Sequence, residues 1–293
     1  VEWTERSGSI YILGIPVLPS DSECPMSTGS NQGPLTFLMV GCQRCGTTWI
    51  DAALRDHPEV YLPEDKQSYF FDRHYERGID WYLERFDAVG PGHRAVGEIA
   101  TGYCLVDVVA TVAKHFPDVK ILMVVRHPVE RLMSNYQVRK QEQGWTSLEQ
   151  ALDSGSDLLE RSRYADQLEE ILRYWPRDRV KVLFQEDLAL DDRAYYRSIC
   201  EFIGVDPDVE TTQFGQIKNS AMFPRIRRTF TALRMRPVLD ILSRSPVGTA
   251  LRRMKKQSGR RGYATMSPAM RKRLLDEFRS ANQRLADITG RTL

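Results

Sequence analysis

Gly41-Cys42-Gln43-Arg44-Cys45-Gly46-Thr47-Thr48 is the stretch that most restricts what this chain can fold into. It follows a short apolar run at 35–40 and precedes a helical pattern that His57-Pro58 stops. The spacing is G-x-x-x-x-G-x-[ST], set between a strand and a helix. Glycines let such a loop turn tightly, its N–H groups point inward, and the helix N-terminus adds partial positive charge. The product is a cradle for an anion such as a phosphate. Its strand must be buried in a sheet, which points to an α/β fold.

The remaining pattern agrees. Further strands are expected at 60–62, 95–99, 120–125 and 179–184. Helices are expected at 78–86, 106–115, 129–143, 164–174, 195–203 and 268–288. Strands separated by helices predict a single domain with a central parallel sheet flanked by helices. Residues 1–34, rich in Ser, Gly and Pro, are expected to be an irregular lead-in, with the domain proper at 35–293. Residues 205–263 have weak periodicity and much positive charge, and are expected to form a basic lid or an irregular subdomain.

The loop departs from that of a nucleoside triphosphatase. The Lys normally placed before the final Thr is Thr47, and a cation sits inside the loop at Arg44. The next strongly apolar strand ends in Arg126, where a metal-holding Asp is usual. These changes favour nucleotide handling without a metal. Ser134 lies about two helical turns beyond Arg126. An Arg fork and a hydroxyl can together grip a terminal phosphate.

Charge is unevenly spread. Residues 215–293 hold 19 Lys+Arg and 4 Asp+Glu, whereas the first 214 hold 22 and 35. A basic C-terminal third seeks an anion, whether nucleotide, acidic acceptor, membrane surface or nucleic acid. The segment 233–256 mixes apolar and basic residues, which suits peripheral membrane contact. Nucleic acid is not the expected partner. The five cysteines have no disulfide-like spacing, and no 18-residue apolar run or leader pattern is present. The expected location is a reducing cytoplasm.

Arg126-His127-Pro128-Val129-Glu130-Arg131-Leu132-Met133-Ser134-Asn135-Tyr136 resembles the R-x-P-x-x-R-x-x-S-x-Y motif of sulfotransferases that use 3′-phosphoadenosine 5′-phosphosulfate (PAPS). Gly41 to Thr48 is similar to their 5′-phosphosulfate loop. Phe70-Phe71-Asp72 and Gly78-Ile79-Asp80-Trp81-Tyr82 resemble the heparan-sulfate-type, carbohydrate-acting branch and its bacterial relatives. The resemblance implies the P-loop nucleotide-kinase-like sulfotransferase fold. It implies PAPS contacts at Arg44, Cys45, Gly46, Thr47 and Thr48, with Arg126 and Ser134 on the 3′-phosphate. Gly259, Arg260 and Arg261, in a Gly-Arg-Arg-Gly-Tyr run, loosely resemble a loop that covers the cofactor. The implied acceptor is a hydroxyl or amine, first of all on a carbohydrate.

Arg44 is placed to offset charge on the leaving phosphate oxygen. The acceptor must also lose a proton to a base. The branch carries a Glu four residues before the second Phe, and that position is Gln67 here. An amide cannot serve as a carboxylate base. Glu98 and Asp72 are the leading replacements, ahead of His74. Three other readings remain open at this stage. They are a thiol oxidoreductase using Cys42 and Cys45, a magnesium-dependent small-molecule kinase, and a non-enzymatic anion- or membrane-binding module.

Overall fold

The computed structural model describes residues 33–216 and 266–293, and the backbone of three short strands before them. Those strands are β1 (Thr4–Arg6), β2 (Ser9–Ile12) and β3 (Ile15–Val17), an antiparallel meander within a compact unit of residues 1–32. The lead-in expected to be irregular thus carries a small sheet.

The second unit, 33–293, is built on five strands: β4 (Phe37–Gly41), β5 (Val60–Tyr61), β6 (Ala95–Ile99), β7 (Lys120–Val125) and β8 (Val180–Phe184). Their order is β5-β6-β4-β7-β8 and every pair is parallel. All five residues of β4 and of β6 are buried. That is why these strands read as continuous apolar runs without alternation. From β4 the chain goes out to β5 at the sheet edge and returns through β6 to one side of β4. It then lays β7 on the other side. The connections diverge at the carboxyl end of β4, where open α/β sheets bind their ligands.

The helices are α1 (Thr47–Arg55), α2 (Phe70–Arg73), α3 (Ile79–Leu83), α4 (Val106–His115), α5 (Pro128–Arg139), α6 (Leu148–Asp153), α7 (Tyr164–Tyr174), α8 (Gln185–Leu190), α9 (Asp192–Ile203) and α10 (Pro268–Thr289). Helices α2, α6 and α8 were not expected. They have 4, 6 and 6 residues, too few for a helical period to register.

Helix α10 explains how α5 is held. Its start has Pro268 in the first turn, and the Ser267 side chain accepts the Met270 N–H. It stops at Gly290, which has φ 72°. Met270, Leu274, Phe278, Ala281 and Leu285 lie along one buried face. Met270, Leu274 and Phe278 pack with Val129, Leu132 and Met133 of α5. Burying each of Leu274 and Phe278 contributes roughly 1.5–3 kcal/mol. The C-terminal helix therefore supports the helix that carries Ser134.

Candidate functional site

The loop after β4 makes two backbone demands. A Cβ at Gly41 would sit 2.6 Å from Cys104 Sγ, so the strand end passes too close to that thiol for any side chain. Gly46 has φ 89° in the left-handed region and acts as the N-cap of α1 without a side-chain cap. Arg44, at φ 71°, is held in the same region, which costs a non-glycine residue about 1–3 kcal/mol. The loop thus presents the uncapped start of a nine-residue helix toward the cleft.

The two sequence motifs meet at this loop. Arg44 Nε donates to Ser134 Oγ at 3.0 Å. Arg126 Nη1 donates to the Arg44 carbonyl at 3.3 Å, and its Nη2 pairs with Glu130 Oε2 at 3.1 Å. Glu186 Oε1 accepts the His127 N–H at 3.0 Å, tying the start of α5 to α8. Arg131, the second arginine of the motif, points elsewhere. It is fully buried and donates to Ser162 Oγ at 2.6 Å and to the Leu158 carbonyl at 2.5 Å. It braces the fold and is not part of the anion site.

An open cleft runs past Gln43, Arg44, Thr47 and Thr48. Lys66, Arg77, Arg85 and Arg139 line it, against Asp65 and Glu142, so its wall is positively charged. Trp81 lies in the same wall, with the Arg77 guanidinium 4.7 Å and the Arg85 guanidinium 5.9 Å from its ring centre. Two residues here were missed from sequence. Lys66 Nζ lies 3.3 Å from both Thr47 Oγ1 and Thr48 Oγ1. Asn135 lines the cleft beside Ser134 although its residue is only 2% exposed, and its Nδ2 is buried without a partner. A buried amide nitrogen of that kind is costly until a ligand accepts from it. Uncapped helix start, orphaned amide, serine and two arginines together fit a nucleotide that carries several phosphates.

The expected bases separate. Gln67 lines the cleft and its Oε1 accepts from Thr101 Oγ1 at 3.2 Å. Glu98 is corrected: it is 1% exposed and does not border the cleft. Its carboxylate accepts the Ser68 N–H at 2.5 Å and the Tyr82 O–H at 2.8 Å. Burial raises its pKa above the usual carboxylate value, and those two bonds pull it back only in part. Strand β6, which holds Glu98, is buried along its whole length, and that is at odds with a solvent-facing base. Asp72 is half-buried and is not among the residues that line the cleft. Burial raises its pKa, and a Cβ at Gly102 would come within 2.4 Å of its Oδ2. His74, ranked last from sequence, does line the cleft, with Glu76 Oε1 3.8 Å from its Nδ1.

Cys42 and Cys45 are buried behind the loop at 1% and 0% exposure. The Cys42 thiol donates to Gln167 Oε1 at 3.3 Å and touches Cys104 Sγ at 3.8 Å. Burial pushes the Cys42 thiol well above its ordinary pKa, the opposite of what a redox nucleophile needs. They serve as small packed residues of the loop. Gly259, Arg260, Arg261 and most of the expected lid lie outside the described residues. The first part of that stretch is pinned to α1, because Asp56 Oδ2 accepts from Thr211 Oγ1 at 2.7 Å and from the Thr212 N–H at 2.9 Å.

Comparison with known proteins gives the family and the fold. The sequence model of the family described as "Sulfotransferase domain" matches residues 34–280. Heparan sulfate glucosamine 3-O-sulfotransferase 6 of Homo sapiens is 26% identical over 98% of this chain and 80% of its own length. Heparan sulfate glucosamine 3-O-sulfotransferase 3B1 of Mus musculus is 23% identical over 92% of this chain and 68% of its own. The crystal structure of a sulfotransferase from Alicyclobacillus acidocaldarius superposes with a TM-score of 0.64 at 24% identity. It covers 88% of this chain and 97% of that one, a likeness of fold.

Proposed function

This chain belongs to the sulfotransferase domain family, and from that premise we propose that it moves a sulfuryl group from PAPS to a hydroxyl or amine of a carbohydrate. The observation that carries the proposal is the meeting of Arg44, Ser134 and Arg126 at the carboxyl ends of β4 and β7. PAPS supplies an activated sulfuryl group and a bisphosphate handle. The start of α1, with Arg44, Thr47 and Thr48, holds the 5′ end. Arg126, Ser134 and Asn135 hold the 3′-phosphate.

Arg44 offsets the charge that gathers on the leaving oxygen. His74 takes the acceptor proton, since it is the imidazole that borders the cleft and Gln67 cannot accept one. The positive cleft wall and the Trp81 face favour an acceptor with a sugar ring and anionic groups. The printed activity of the relatives supports the same acceptor class.

Calorimetric titration with the desulfated product, 3′-phosphoadenosine 5′-phosphate (PAP), tests the donor assignment beside ATP with magnesium. PAP is expected to bind tightly without metal, and labelled sulfate is expected to pass from PAPS to a glucosamine-containing oligosaccharide. Absence of PAP binding, with ATP bound only when magnesium is present, would overturn the reading.

A further inference from the structure

A nucleoside-triphosphatase loop carries a lysine immediately before its final threonine. Here that position is Thr47, and the loop's own cation, Arg44, is turned toward Ser134. The fold restores a lysine by another route. Lys66 comes from the connection between β5 and α2, and its Nζ stands 3.3 Å from the hydroxyls of both Thr47 and Thr48. It borders the same cleft as Arg44 and His74.

Two hydroxyls are the hydrogen-bond partners of this ammonium. An ammonium has three N–H donors, so its charge and one donor remain available to an anion beside the start of α1. Burial lowers its pKa below the usual lysine value; Asp51 counters that and Arg55 adds to it. A partly buried cation held over hydroxyls at a helix N-terminus is a site for a strongly anionic, oxygen-rich group.

We propose that Lys66 is a catalytic residue that grips the oxygens of the transferring sulfuryl group. The inference rests on the PAPS reading given above. In the step, a lone pair of the acceptor oxygen or nitrogen forms the new bond to sulfur. The bond from sulfur to the bridging oxygen breaks, and its electron pair stays on the 5′-phosphate of departing PAP. The acceptor proton goes to His74, and Lys66 keeps its own. Labour is thus divided: the Arg44 charge, anchored through Nε on Ser134, is assigned to the leaving oxygen, and Lys66 orients the group in flight.

PAP lacks the sulfuryl group and PAPS carries it, so the two nucleotides isolate this contact. Calorimetry on the wild type, Lys66→Met and Lys66→Arg is the test, with sulfuryl transfer to a glucosamine-containing oligosaccharide as a second readout. Lys66→Met is expected to bind PAP within about twofold of wild type and PAPS about tenfold more weakly, as loss of one charge-assisted bond predicts. Transfer should fall about 100-fold, the scale of a misoriented reacting group. Lys66→Arg should recover part of both. Equal weakening of PAP and PAPS would make Lys66 a structural peg for Thr47 and Thr48 and overturn the proposal. An unchanged Lys66→Met enzyme would do the same while leaving the sulfotransferase reading intact. A wild type that binds neither nucleotide would remove both.

Discussion

Arg44 Nε donates to Ser134 Oγ at 3.0 Å, joining the loop after β4 to the second turn of α5 across 90 residues of sequence. A side chain from one phosphate motif and a hydroxyl from the other are therefore a single unit. Arg44 is also the residue that the loop holds at positive φ, so its place is set by the backbone as well as by its partner.

On the proposed role, replacing Arg44 with Ala should remove the cation assigned to the leaving oxygen. Transfer is expected to lose about 2–4 kcal/mol of transition-state stabilisation, as when an oxyanion-hole donor is deleted. Steady-state kcat with PAPS is the measurement, and a full-rate Arg44→Ala enzyme would refute the role.

The two arginines of the second motif should behave in opposite ways. Arg126→Ala should weaken PAP binding by about 1.5–3 kcal/mol, the worth of a charged hydrogen bond, with little change in thermal stability. Arg131→Ala should instead destabilise the fold by about 3 kcal/mol, because the Leu158 carbonyl and Ser162 lose a buried partner and a void opens. Calorimetry and thermal melts on both variants separate these outcomes; equal effects would contradict the division.

Glu98 should reveal itself through pH and stability. Burial raises its folded pKa above the unfolded value of about 4.3. The folded state then holds the proton more tightly. That stabilisation is complete below the unfolded value and is lost as pH rises through the raised folded value. The melting-temperature difference between wild type and Glu98→Gln should therefore shift against the wild type as pH climbs through that window. A difference that stays flat with pH would show that Glu98 has no raised pKa.

His74→Gln is expected to lower kcat about 100-fold, at the low end of general-base contributions, without changing PAP affinity. Asp72→Asn is the companion variant, because that half-buried carboxyl does not line the cleft. If Asp72→Asn lost the larger share of kcat, proton removal would belong to Asp72.

Much of the fold was legible because its signals are local. Phe37 to Val40 read as a covered strand, and the bounds of β6, β7, α4 and α7 match their expected ranges. Runs of apolar residues and their stops are properties of neighbouring residues. The small sheet in 1–32 escaped notice because its strands have 3 or 4 residues each, and short strands leave little alternation to detect.

By itself the sequence determined the glycine loop between strand and helix, the strand-end arginine and the serine two turns later, since each motif lies within one strand–turn–helix unit whose geometry is set locally. Only the tertiary structure decided which groups share the cleft. The strand order β5-β6-β4-β7-β8 sets β4 between β6 and β7, so residues far apart in the chain converge there. It brought Lys66 to the threonine hydroxyls and left Asn135 facing the cleft, and it enclosed Glu98 and Arg131. The physical reason is that burial and long-range hydrogen bonding depend on which elements pack together. A carboxylate in a strand covered on both faces must spend its oxygens on neighbouring donors, whatever chemistry its residue type would otherwise allow.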